Sequence, residues 1–98
     1  MATLRDQVLS GTFNSATPSD WLSFHGVKDF ALDMRAVGLV CSINYECSFD
    51  AGVTPQVIET FTEADGNWVD RVSTLGPDVL YRLNPTVLSG GTVPYRIG

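Results

Sequence analysis

Residues 39–62 read LVCSINYECSFDAGVTPQVIETFT, and this stretch decides the fold. In its first half Leu39, Cys41, Ile43, Tyr45, Cys47 and Phe49 alternate with Val40, Ser42, Asn44, Glu46 and Ser48. A period of two is the mark of a strand with one face buried and the other largely wet. In the second half Val57, Glu59 and Phe61 alternate with Gln56, Ile58 and Thr60, and β-branched residues are frequent. Between the two runs lies Ser48-Phe49-Asp50-Ala51-Gly52-Val53-Thr54-Pro55. An Asp side chain can hydrogen-bond amides a few residues on, and Gly takes positive φ without a steric penalty. The stretch therefore reads as a long β-hairpin.

Working outward, the same alternation recurs at intervals of about ten residues. Residues 8–13 and 21–25 read as short strands, separated by a Ser/Thr/Pro loop over residues 14–20. Residues 29–37 alternate Phe30, Leu32, Met34 and Ala36 against Asp29, Asp33 and Arg35. Beyond the hairpin, Asp65-Gly66 is turn chemistry of a kind favoured in hairpins. Trp68, Val69, Val72 and Leu75 follow as an irregular strand or a short helical turn. Gly76-Pro77-Asp78 breaks the chain, and residues 79–84 form a strand ended by Pro85. After Ser89-Gly90-Gly91, residues 92–97 form the last strand, which Pro94 places at a sheet edge or with its nitrogen facing outward. Residues 1–7 read as an extended arm or as a first edge strand. The expected architecture is all-β: a single antiparallel β-sandwich of residues 1–98, jelly-roll-like, with seven to eight short strands.

Ninety-eight residues, 44% of them apolar and ten aromatic, suffice for one core with little margin. A net charge of −5, with Lys28 and five arginines as the cations, argues against nucleic acid or an anionic membrane surface as partner. No apolar run approaches the length of a membrane span. The start Met-Ala-Thr-Leu-Arg-Asp lacks the basic and apolar regions of a signal peptide. Cys41 and Cys47 lie six apart on one strand, roughly 20 Å in extended geometry. A disulfide needs Cα atoms within about 7 Å, so both are expected as buried free thiols, made in a reducing cytoplasm.

The chemical inventory is sparse, and no catalytic, cofactor-binding or metal-binding residue is expected. His25 is the only histidine, which argues against zinc. No spacing joins it to Ser23 or Ser48 as a nucleophile, so it reads as a surface or capping residue. Asp29 and Asp33 could in principle act as paired carboxylates, but with Arg35 beside them they read as a solvated strand face. Gly90-Gly91 precedes a strand and not a helix, so it does not cradle phosphate. Glu46, Arg82 and Arg96 occupy polar strand positions from which a cross-strand ion pair can form. Trp21 and Trp68 could stack on a sugar, or pack in a core or an interface.

The turn resembles the Asp-box hairpin motif of sialidases and other β proteins, Ser-x-Asp-x-Gly-x-Thr-Trp. Ser48, Asp50, Gly52 and Thr54 match it, and Pro55 stands where the motif has an aromatic. The motif builds a hairpin and carries no catalysis. More widely, the Ser-Phe-Asp-x-Gly-x-Thr hairpin at residues 48–54 is followed by Gly76, Leu80, Tyr81 and Arg82. Gly91, Thr92, Tyr95, Arg96 and Ile97 close the pattern. Together these resemble small β-sandwich virion proteins of tailed bacteriophages. That resemblance implies a structural protein of the virion, and most specifically a capsid decoration, or cement, protein on the outer head. Its partner would be the major capsid protein or another virion protein, and the chain itself would be a homo-oligomer. A tail or neck position and a carbohydrate- or receptor-binding module are the alternatives, and a small hydrolase is the remote third. Edge residues Val93 and Tyr95, with Arg5 and Arg96 pairing to acidic neighbours, are the expected subunit interface.

Overall fold

In the computed structural model, residues 3–24, 29–36, 38–76 and 78–98 are described. They form nine strands and no helix. These are β1 (Thr3–Arg5), β2 (Leu9–Phe13), β3 (Trp21–Ser23), β4 (Asp29–Arg35), β5 (Val40–Ser48), β6 (Gln56–Thr62), β7 (Asn67–Ser73), β8 (Leu80–Ser89) and β9 (Val93–Ile97). One sheet has the order β1-β3-β8-β5-β6 and the other β2-β9-β4-β7.

The pairing explains why residues 39–62 dominate. β5 pairs antiparallel with β6, β4 with β7, β3 with β8 and β2 with β9. The chain is thus one long antiparallel ribbon whose tip is the turn after Ser48. The ribbon is rolled so that β8 also pairs with β5 and β9 with β4. That is the jelly-roll wrap, with β1 added at one edge. The addition is parallel: Thr3–Arg5 runs alongside Trp21–Ser23.

The core follows the alternation in the sequence. Phe30, Leu32, Met34 and Ala36 point inward from one sheet. Cys41, Ile43, Tyr45 and Cys47 meet them from the other. Phe24, Phe30 and Tyr81 pack ring to ring, with centroids 4.7–6.2 Å apart. The buried Tyr81 hydroxyl is satisfied by the Leu75 N–H at 2.7 Å, and burial of the phenol raises its pKa. Cys41 and Cys47 are free and buried, and burial pushes both thiols upward.

Three expectations need correction. Pro85 does not end its strand: β8 continues to Ser89. Pro85 lies past the last contacts from the segment leading into β3, which reach Leu83. It also sits beside a bulge between Ser42 and Ile43, where a missing donor is tolerated. Second, Asp65-Gly66 does not close a hairpin. It carries the chain from β6 in one sheet to β7 in the other, with Gly66 at φ +69°. Third, β9 is not an edge strand: it lies between β2 and β4. Pro94 falls one residue beyond the end of the β4 ladder, which stops at Met34 opposite Tyr95. Of the two forms expected for residues 1–7, the described part takes the first edge strand: Thr3–Arg5 pairs with β3 at the sheet edge, and the Asp6 N–H bonds the Ser23 carbonyl at 2.9 Å. Residues 21–25 are a strand over Trp21–Ser23, while His25 lies outside the described residues.

Candidate functional site

The Ser48–Thr54 turn is built as its residues suggest. Ser48, fully buried, accepts the Gly52 N–H at 2.9 Å and donates its hydroxyl to Asp50 Oδ1 at 2.7 Å. The same Asp50 oxygen accepts the Thr54 N–H at 2.8 Å. Hydrogen bonding from the Thr54 side chain foremost, then from the Ser48 hydroxyl and the Thr54 N–H, holds the Asp50 carboxyl down to about 2. Ala51 and Gly52 both take positive φ, at +60° and +91°. Asp50, Ser48, Gly52 and Thr54 are therefore turn-forming groups.

The aromatic absent at Pro55 is supplied from elsewhere. Trp21 of β3 lies so close to Gly52 that an added Cβ would be 2.9 Å from its indole nitrogen. Arg82 stacks on the same ring, its Cζ 4.3 Å from the centroid. The Arg82 Nε donates to Glu46 Oε1 at 2.8 Å, and Asn84 donates to Glu46 Oε2 at 3.0 Å. Glu46 and Arg82 face each other across β5 and β8, with side chains only 6% and 12% exposed. The expected Glu46–Arg82 pair thus forms. Arg96 is not part of it, being in the other sheet opposite Asp33.

The remaining candidates are dispersed. Val93 is fully buried, and Tyr95 stacks on Phe13 with centroids 4.1 Å apart, over Gly11. Arg5 pairs at 3.7 Å with Asp78 of its own chain. Arg96 is exposed on the outer face of the four-stranded sheet, as are Asp29, Asp33 and Arg35. Asp29 accepts the Ser73 hydroxyl and lies 3.8 Å from Arg71.

A surface that sequence reasoning missed lies at the ribbon tip and along β6. Phe49 and Val53 in and beside the turn are 59% and 80% exposed. Val57 and Ile58 on β6 are 56% and 45% exposed. The sequence signal was there, since apolar residues fill both faces of Val57-Ile58. The alternation hid it, because a bulge opposite Tyr45 and Glu46 breaks the period of β6. Between β6 and β7 opens a cleft of about 200 Å³ lined by Glu59, Thr60, Phe61, Asp65, Asn67 and Trp68. Phe61 and Trp68 stack at its floor with centroids 6.1 Å apart. An open strand edge beside an aromatic cleft with carboxylates at the rim is equipped for binding a chain or side chain. Among the described residues no group of three or more His, Cys, Asp or Glu side chains is arranged to hold a metal ion.

No protein-family model, no curated protein and no solved structure matches this chain.

Proposed function

We propose that this chain is a structural protein of a bacteriophage virion, a capsid decoration protein that binds the outer head and stabilises the shell, with no enzymatic role. The observation that carries this reading is the jelly-roll wrap about the Ser48–Thr54 tip, an architecture used repeatedly in capsid proteins. The sequence segments that resemble small phage virion proteins are the tip, β8 and β9, the two late strands that pair back onto β5 and β4. Support also comes from Trp21. Its ring is occupied by the turn and by Arg82, which removes one of the two aromatics a sugar-binding module would use. A decoration protein works through many equivalent contacts on a symmetric shell, each weak and multiplied by avidity.

The test is addition of the purified protein to heads lacking it, followed by sedimentation. Saturable binding at a fixed ratio of copies per shell, with a raised temperature of shell disruption, is expected. Failure to sediment with heads, or binding that leaves shell stability unchanged, would reject a cement role.

A further inference from the structure

Among the described residues four strand edges are open, those of β1, β6, β2 and β7. Three are blunted. β1 is three residues long and is followed by Asp6, with φ +52°. β2 carries Gly11 at its centre with the Tyr95 ring laid across it. β7 holds Asp70 and Arg71 in mid-strand, and Asp70 Oδ1 takes up the Arg71 N–H at 2.8 Å. β6 differs. It runs seven residues with no cation and no proline, and Gln56 to Thr60 are all exposed. Among the described residues a side chain caps its backbone only at the last position, where Asp65 Oδ2 accepts the Thr62 N–H at 2.8 Å. An unblunted edge of this kind accepts an added strand through main-chain hydrogen bonds.

The charge beside that edge selects the occupant. Glu59 and Asp65 line the cleft, Glu63 follows β6, and Asp70 shares the Trp68 face of β7, whereas Arg71 is turned to Asp29 on the outer face of the four-stranded sheet, 3.8 Å away. A second copy meeting edge to edge would bring these carboxylates together, so self-pairing is disfavoured. A basic strand would neutralise them. The cleft supplies a seat for one of its side chains, with the Phe61 and Trp68 rings as floor and Glu59 and Asp65 at the rim. An alkyl stem capped by a cation fits both features.

We propose that β6 takes up an extended basic segment of a partner protein as a further strand, with a lysine or arginine side chain seated in the cleft over Trp68 between Glu59 and Asp65. Glu59 and Phe61 share a face of β6, so alternate residues of the added strand fall beside them, above the cleft. This deepens the proposed function, on which it rests for the partner's being another virion protein. The chemistry of the contact stands on the edge and the cleft alone.

The experiment is titration of the intact protein with a blocked heptapeptide, Arg-Val-Lys-Val-Arg-Val-Lys, read by calorimetry and by backbone amide shifts. One peptide per chain is expected, with shifts concentrated at residues 56–62. Methylating alternate peptide nitrogens, which keeps the charge and removes the strand bonds, should weaken binding by about tenfold or more. Glu59→Lys, an exposed position, should do the same. Asp33→Lys, an equal charge change on the far sheet, should change affinity by less than about threefold. The inference is overturned if the peptide does not bind, if the methylated peptide binds equally well, if both variants weaken binding alike, or if residues 56–62 instead pair two copies of this chain. Binding to heads without binding to the peptide would sink this inference and leave the virion reading standing. The reverse result would sink the virion reading and leave strand addition.

Discussion

Gly52→Ala probes the seating of the ribbon tip on Trp21. At φ +91° an alanine adopts left-handed backbone, which costs about 1–2 kcal/mol. Its Cβ would also meet the indole at 2.9 Å from the nitrogen and 3.3 Å from Cε2. The ring cannot retreat easily, because Arg82 stacks on it. Overpacking of that kind adds about 1–3 kcal/mol. The expected loss is therefore about 2–5 kcal/mol, a large share of the stability of a domain this size. Gly66→Ala is the internal control: φ is +69° but nothing lies within 4 Å, so only the backbone contribution of about 1–2 kcal/mol remains. Urea unfolding followed by tryptophan fluorescence and far-ultraviolet circular dichroism measures both. Gly52→Ala combined with Trp21→Phe should lose less than the sum of the two single losses, since the smaller ring relieves the contact. If Gly52→Ala costs no more than Gly66→Ala, the turn is not seated on Trp21 and the reasoning fails.

Three further outcomes are expected. Arg82→Leu should destabilise by about 3–5 kcal/mol in urea unfolding, because it strands the Glu46 carboxylate in a nearly dry site. Adding Glu46→Leu should recover part of that loss, and an additive double variant would mean that the pair is not coupled. Stability should fall as pH drops from about 4 toward 2. Asp50 is held at about 2, below the unfolded value of about 3.9, so its contribution is present above the unfolded value and lost as the folded carboxyl protonates. Asp50→Asn should flatten that part of the urea-midpoint profile. Cys41 and Cys47 should resist a thiol reagent in the native protein and both react on unfolding without reductant, since burial raises both thiols. Rapid native labelling would contradict the core placement.

What was legible in the sequence was whatever depends on one buried face. β4 and the first half of β5 show alternation because each packs one side against the opposite sheet, and the Ser48–Thr54 turn is encoded by contacts within seven residues. Long-range pairings were not legible. Nothing near Pro94 reveals that β9 lies between β2 and β4, because its neighbours come from the far end of the chain. The Asp65-Gly66 turn has the same local chemistry whether it closes a hairpin or crosses between sheets. Glu46 and Arg82 were readable as polar strand positions, but their register opposite each other and the Trp21 ring beside them exist only once the ribbon is rolled. The β6 edge was hidden by its bulge, which turns Val57 and Ile58 outward together.

Cryo-electron microscopy of the purified phage particle tests the proposed role most directly. A nine-stranded domain of this topology is expected at symmetry-repeated positions on the outer head surface, in contact with the major capsid protein. Particles that contain the protein only at the neck or tail, or that lack it altogether, would contradict a capsid decoration role.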